Sequence, residues 1–381
     1  MAKKAYIGVG DVARKLKKGY IGVGGVARKI KKAYIGIGGV ARPCMSGGLE
    51  YYGKITDLSV ARYAVAATSV GDYAFFMGGA VTNYLDVYSK SLQRSTVLLE
   101  HLYSNLAATT VGDYAIFGGG YSYKQYSDGT INYSLPRELV AAINSSLSKT
   151  SAPSLSAAKS HLAATTVGNY AVFAGGRNEG VYYTSVDVYN ASLTRSAPQN
   201  ALSVARSDLV ATSVGGKALF GGGMTNTSVG YSTNTVDVYN ESLTKLENKY
   251  LNIGATYLSA TTVGGYALFG GGATGGYTDL VTAFDSSLTK TSPPVLSAKR
   301  SNLIATTLEN YAMFAGGRSS TTAYFDTVDV YDSSLTKTTA TPLSAPRYDL
   351  GATTVGAFAL FVGGTDTTGN QRSKTVEAYV V

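Results

Sequence analysis

Between residues 54 and 381 the chain repeats one short phrase seven times: Ala, an apolar residue, Phe, any residue, then Gly-Gly, usually led by an aromatic. The Phe stands at 76, 117, 173, 220, 269, 314 and 361, so successive copies lie 41, 56, 47, 49, 45 and 47 residues apart. A recurrence of this length means that one supersecondary unit is used repeatedly, each copy burying its apolar faces against its neighbours. The unit is rich in short strand-like runs, which points to a β-propeller of seven blades.

The clearest unit covers residues 296–343. Residues 303–308 read as a strand of small residues, Glu309-Asn310 as a turn, and residues 311–315 as a second strand stopped by Gly316-Gly317. After a loop, residues 327–331 form a third strand. Asp332 then suits an Asx-turn, and residues 336–341 make a weak fourth strand. Four antiparallel strands make one blade. By this measure both ends of the repeat are incomplete. Residues 374–380 are a third strand with no fourth after them, and residues 52–57 are a fourth strand with no blade of their own. They are expected to pair, Ile55 beside Val376, which completes the seventh blade and covers two edges that would otherwise invite association.

A second, shorter repeat precedes the first. Residues 5–43 recur every 14 residues, with Tyr6, Tyr20 and Tyr34 marking the register. Each copy reads as strand, turn, strand, with turns at Gly10-Asp11, Gly24-Gly25 and Gly38-Gly39. The run from Gly8 to Ala13 matches a dinucleotide-binding fingerprint. It recurs after 14 residues, however, which leaves no room for the helix that motif must open. The charge is divided in the same place. Residues 1–43 hold 11 Lys/Arg and one acid, Asp11, whereas the remainder holds 22 Lys/Arg and 23 Asp/Glu. The net +9 therefore belongs to a basic arm on a near-neutral body, which is not the profile of a nucleic-acid-binding domain. The expected organisation is an arm at 1–43, a linker at 44–51 and a propeller at 52–381.

The body resembles the kelch-repeat propellers. Pro346-Arg347-Tyr348-Asp349-Leu350, then Phe361-Val362-Gly363-Gly364, then Val376-Glu377-Ala378-Tyr379 follow that family's order of Arg, Gly-Gly and Tyr. Arg62, Arg206 and Arg300 match the Arg, with Lys159, Tyr103 and Ala255 in the remaining units. Tyr88, Tyr189, Tyr239 and Tyr331 match the Tyr, with Ile143 and Phe284 as exceptions. The family's fourth-strand Trp is absent; Ser95, Ser196 and Thr338 stand near its place. These motif residues read as structural. Gly-Gly permits a tight exit from the second strand, Phe and Tyr fill the space between blades, and the Arg bonds loop carbonyls. The arm is similar to the YIGVGGVARKIKK-type repeats of predicted tail-associated proteins of phages and prophages. Together the resemblances imply a virion, tail-associated location.

Chemistry is scarce in this composition. One Cys and two His exclude a Cys-cluster site and leave little for a His-rich metal centre. The sole Cys, Cys44, lies in the linker, away from any propeller site of galactose-oxidase type. No G-x-S-x-G, H-E-x-x-H or phosphate-loop motif occurs. His161 occupies a slot where Asp208, Asn302 and Asp349 stand in other units, which reads as slot variation. No apolar run spans a bilayer and no signal peptide is present, so neither membrane insertion nor Sec export is expected.

The variable parts are the loops between second and third strands, rich in Tyr, Ser, Thr, Gly, Asn and Arg, a binding-loop composition. Their candidate ligand-binding residues are Tyr121, Tyr123, Arg177, Tyr182, Tyr183, Tyr231, Tyr277, Arg318 and Tyr324. The expectation is a non-enzymatic recognition module without cofactor, contacting a host-surface glycan or protein. Its arm would engage other virion proteins, a second copy as a homo-oligomer, or an anionic surface. A scaffold virion protein and a carbohydrate-active propeller enzyme are the alternatives.

Overall fold

The computed structural model describes residues 5–9, 12–16, 20–23, 26–29, 34–37, 40–43, 48–79, 82–99, 101–125, 131–225, 231–366 and 371–381, with side chains from 48 onward except at 102 and 123–136. Among these residues every regular element is a strand. Seven four-stranded antiparallel sheets form the blades of a propeller. The innermost strands are Ala66–Val70, Ala107–Val111, Ala163–Val167, Val210–Val214, Ser259–Val263, Ile304–Leu308 and Gly351–Val355. Each touches the next, and the last touches the first, around a central axis.

The strand sequences follow from this packing. In Ala107–Val111 the first, third and fifth residues are buried between blades, while Ala108 and Thr110 face the axis. Seven strands converge there, so only small side chains fit. Hydroxyls bond across neighbouring strands, with Thr109–Thr166 at 2.8 Å, Thr212–Thr262 at 2.7 Å and Thr261–Thr307 at 2.6 Å. The second strands, such as Tyr311–Ala315, are buried on both faces between blades, which is why they read as continuous apolar runs. In six of the blades the Phe of this strand meets the third-strand aromatic edge-on, as at Phe314–Tyr331 with centroids 5.9 Å apart; blade 2 has Ile143 there. The expected Asx-turn is present: Asp332 Oδ1 accepts from the N–H of Ser334 and Thr336, both at 2.9 Å. Fourth strands are weak in blades 2 to 6, with two residues in blades 3, 4 and 5, whereas those of blades 1 and 7 run to five.

Gly-Gly makes the seam between blades. Gly316 has φ +67°, and a Cβ there would stand 2.4 Å from the Arg347 carbonyl of the next blade. Only Gly allows that approach. The following residue, Gly317, then donates its N–H to the same carbonyl at 2.8 Å. The bond recurs around the ring, and Gly364 donates to the Arg62 carbonyl at 2.9 Å, joining blade 7 to blade 1.

The ends of the propeller pair. Glu50–Lys54 is the fourth strand of blade 7, antiparallel to Val376–Val380. Ile55 N donates to Val376 O at 3.0 Å. The strand begins two residues earlier than residues 52–57, inside the stretch read as linker, and it ends at Lys54. A bulge leaves Tyr52 as an extra residue between Gly53 opposite Ala378 and Tyr51 opposite Tyr379, with Gly53 at φ +119°. Tyr51 earns its place by packing edge-on against Tyr379 at 5.2 Å and donating to Glu377 at 2.7 Å.

The arm holds three antiparallel hairpins: Ala5–Val9 with Val12–Leu16, Tyr20–Val23 with Val26–Lys29, and Tyr34–Ile37 with Val40–Pro43. The turn residues at 10–11, 24–25 and 38–39 lie outside the described residues.

Candidate functional site

The Arg of each lead-in does more than bond carbonyls. Arg300 Nη2 reaches the Phe314 carbonyl at 3.2 Å and the Asp329 carboxylate at 2.7 Å, both partners fully buried. The same pair is Arg62–Asp86, Lys159–Asp187, Arg206–Asp237 and Arg347–Glu377 in four other blades. A Ser three residues before the cation caps the carboxylate, as Ser156 does for Asp187 through its N–H at 2.8 Å and Oγ at 3.0 Å. A basic residue on the fourth strand adds to it, as Arg195 does at 2.8 Å. Burial alone would push the Asp187 carboxyl up. The charge and hydrogen bond of Lys159, the Ser156 N–H and Arg195 together reverse this and hold it below its ordinary value. These clusters are internal and closed, so they are framework.

The lead-ins also bring seven equivalent residues to one mouth of the axis: Ala64, Asn105, His161, Asp208, Tyr257, Asn302 and Asp349. All have left-handed backbones, with φ from 50° to 56°. Asp208 N donates to His161 O at 2.9 Å, Asp349 N to Asn302 O at 3.0 Å and Ala64 N to Asp349 O at 2.8 Å. Similar bonds run from His161 to Asn105 and from Asn302 to Tyr257. Backbone bonds thus hold these positions, and the side chains are left to differ. Below them the inner strands enclose an axial cavity of ≈ 300 Å³ lined by residues of all seven blades, mostly Ala.

The electrostatics of the mouth is mixed. Burial, then Arg177, keeps the His161 imidazole below its ordinary value, against the pull of Asp208. Burial raises the Asp349 carboxyl although Asn302 Nδ2 donates to it at 2.8 Å and Arg318 is near. Tyr257, 36% exposed, lies within the fields of Asp208, Arg177, Asp349 and Arg318, and its phenol is raised chiefly by burial. Asn178 Oδ1 and Thr256 Oγ1, beside Arg177 and Tyr257 in sequence, are buried with no hydrogen-bond partner.

The second-to-third loops rise on this same face, because each inner strand starts here and each second strand ends here. Arg177 and Tyr182 are cross-strand partners in a short hairpin, and Asp208 and a hydrogen bond with Tyr182 raise the guanidinium against burial. Tyr183 is half-buried and bonds Gly176 O through its N–H at 3.0 Å. Tyr121 meets His161 edge-on at 6.0 Å. It belongs to an added sheet in blade 2, Leu102–Ser104 with Tyr121–Gln125 and Ile131–Pro136, where sequence reasoning expected a loop. Tyr123 sits in that sheet opposite Leu102, and its side chain lies outside the described residues.

Arg318 and Tyr324 are bridged, yet both are engaged with Tyr348. Tyr324 stacks on it at 5.2 Å and 8°, and the Arg318 guanidinium lies over its ring at 4.7 Å from the centroid. Tyr324 also donates to the Thr321 carbonyl. Tyr324 is therefore a packed side chain, and not a ready stacking platform. Tyr277 lies in a small turn bridged to Ala273, and Tyr231 is the most open of the group at 62% exposed. The structure thus brings Tyr121, Arg177, Tyr182 and Arg318 toward the mouth residues. The mouth itself, above all Asp208, Tyr257 and Asp349, was not singled out as a candidate site. Its signal in sequence was that one slot holds unlike polar residues in successive units.

Among the described residues no group of three His, Cys, Asp or Glu is placed to hold a metal ion. No helix of the described residues is long and apolar enough to cross a membrane. Comparison with protein-family models and with curated proteins finds no match for this chain.

Proposed function

We propose that this chain is a non-enzymatic recognition protein on a kelch-like propeller, tail-associated in a phage or prophage virion. In this reading the mouth face binds a host-surface glycan or protein, and the basic arm joins the propeller to other virion proteins. One observation carries it: seven superimposable backbone positions around the mouth hold Ala, Asn, His, Asp, Tyr, Asn and Asp. A constant backbone with unlike, strained, half-open side chains is the arrangement of a recognition surface. The two unpartnered polar atoms beside it and the flanking Arg and Tyr add donors, acceptors and flat apolar area. The likeness of the arm to tail-associated repeats supports the virion setting.

The test is binding of the full chain to a glycan array and to host cells, repeated with Tyr257→Ala and with Arg177→Ala. Both variants are expected to weaken binding at least tenfold with little change in melting temperature. No binding by the parent chain to either target supports the scaffold alternative instead.

A further inference from the structure

Each innermost strand pairs only with the second strand of its blade, so its other edge is free and faces the axis. The fourth residue of that strand, Ser or Thr in all seven blades, shows where the edge points. Thr166 Oγ1 donates to the Thr110 carbonyl at 2.5 Å, and Thr262 Oγ1 to the Ser213 carbonyl at 2.9 Å. The fourth-position carbonyls thus point off the free edge and are satisfied from the next strand. The second residue, two places earlier, turns its N–H and carbonyl the same way. It is Ala in all seven blades, Ala108 and Ala260 among them. Among the described residues no group bonds the backbone of these alanines off that edge.

The alanines line the axial chamber of ≈ 300 Å³. Its upper wall follows the mouth directly, since Val65, Leu106, Leu162 and Leu209 each come one residue after a mouth position. Among the described residues no charged side chain lines it. The wall therefore alternates methyl groups with backbone donors and acceptors. An apolar guest would leave those polar groups unpaired, and a charged one would find no counter-charge. A guest that carries C–H and O–H groups side by side meets both conditions, and that is the surface of a sugar. The chamber is twice as large as a ~150 Å³ cavity that takes up benzene, and a hexose has about twice the heavy atoms of benzene.

Above the chamber, hydroxyls fix the mouth side chains. Ser207 Oγ donates to the Asp208 carboxylate at 2.6 Å and Ser301 Oγ to Asn302 Oδ1 at 2.9 Å, while Asn302 Nδ2 holds Asp349 Oδ1 at 2.8 Å. One oxygen of each carboxylate is held, which sets the direction of the other. Around the ring the two carboxylates lie on either side of Tyr257, whose field they share. Carboxylate acceptors suit sugar hydroxyls, and an aromatic face suits sugar C–H groups. Resting on the reading of the mouth as the host-surface site, we propose that the ligand is a glycan held end-on. An uncharged terminal pyranose enters the axial chamber, and the next sugar lies at the mouth against Tyr257, with its hydroxyls toward Asp208 and Asp349.

The full chain is applied to an array of neutral and acidic glycans, with the methyl glycoside of each neutral terminal sugar as soluble competitor. The glycans bound are expected to share one uncharged terminal sugar, and its methyl glycoside to halve their binding at about 1–10 mM. Ala108→Leu reaches into the chamber and is expected to weaken binding at least tenfold while melting cooperatively. If Ala108→Leu does not fold, the competition in the parent chain decides alone. Three results overturn the chamber and leave the mouth reading standing: glycans bound whatever their terminal sugar, no competition by any methyl glycoside up to about 50 mM, or undiminished binding by folded Ala108→Leu. Binding to host cells with no glycan bound on the array does the same and points to a protein ligand. Binding to neither target removes both readings.

Discussion

Asp329→Thr in blade 6 tests whether the buried pairs act as units. The Asp329 carboxylate receives Arg300 Nη2 at 2.7 Å, Lys337 Nζ at 3.0 Å, the Ser297 N–H at 3.0 Å and the Ser297 hydroxyl. Arg300 is fully buried, and without Asp329 the acceptors left to it are the carbonyls of Thr327 and Phe314. Leaving that guanidinium uncompensated should cost about 3–5 kcal/mol. For the roughly 330-residue propeller, at about 2.1 cal/mol/K of unfolding entropy per residue, this is a fall of about 4–7 °C in melting temperature. Arg300→Ala orphans the carboxylate and should cost a similar amount. The double change Arg300→Ala with Asp329→Thr copies Ala255 and Thr282 of blade 5 and leaves no buried charge. It should cost only about 1–3 kcal/mol, from lost packing and unpaired carbonyls. The cycle is measured by urea unfolding at pH 7 followed by circular dichroism. If the double variant loses the sum of the two singles to within about 0.5 kcal/mol, the groups are independent and the reasoning fails.

Three further outcomes follow. The lowered carboxyls of Asp187 and Asp237 bind protons more weakly folded than unfolded, so their stabilisation is complete above about pH 4 and is lost as the pH falls below it. Asp187→Asn should flatten the acid limb of the stability curve below about pH 4, and an unchanged slope there would exclude Asp187 as a contributor. Tyr257→Asn should relieve the left-handed strain of a bulky residue and raise stability by about 1 kcal/mol while weakening host-surface binding, read by melting and by the array; a loss of stability would refute the strain. Truncation after residue 373 removes Glu377 from buried Arg347 and strips the partner from Glu50–Lys54, so the whole propeller should lose cooperative melting. A truncated chain that melts like its parent would show that closure is dispensable.

The fold was legible because its determinants are periodic. Phe314 and Tyr331, Gly316-Gly317 and the Asx-turn at Asp332 recur at fixed offsets, and each has a local physical meaning. The carboxylate that pairs with Arg300 was not legible. Asp329 lies in Val328–Asp332 between Val328 and Val330, and in a strand of that pattern an Asp reads as the solvent side. Only burial of the third strand on both faces turns it inward. The closing strand, expected at residues 52–57, runs from Glu50 to Lys54, and the bulge beside Gly53 that shapes it has no periodic signal. The candidate residues were partly legible. Loop composition pointed to the face on which the mouth opens, but composition cannot separate Tyr324, locked against Tyr348, from open Tyr231. The mouth was hidden for a different reason: its members share a backbone conformation and no side-chain chemistry.

That division explains how one framework can carry changing specificity. At Arg300 the side chain is the structural element, bound to two carbonyls and a carboxylate, and any change there is felt through the blade. Two residues later, at Asn302, the structural element is the backbone, whose N–H and carbonyl bond to Tyr257 and Asp349. Its side chain adds one further bond, from Nδ2 to Asp349 at 2.8 Å, so replacing it alters the mouth and that bond while the backbone bonds between blades stay in place. The lead-in thus holds a fixed residue and a free one within three positions. Binding residues set on a stiff strand terminus keep their positions better than residues at a loop tip, so less ordering is lost when a ligand arrives. The ring of left-handed residues, and not the longer tyrosine-rich loops above it, is accordingly where affinity should concentrate, with the loops setting which ligands can reach it.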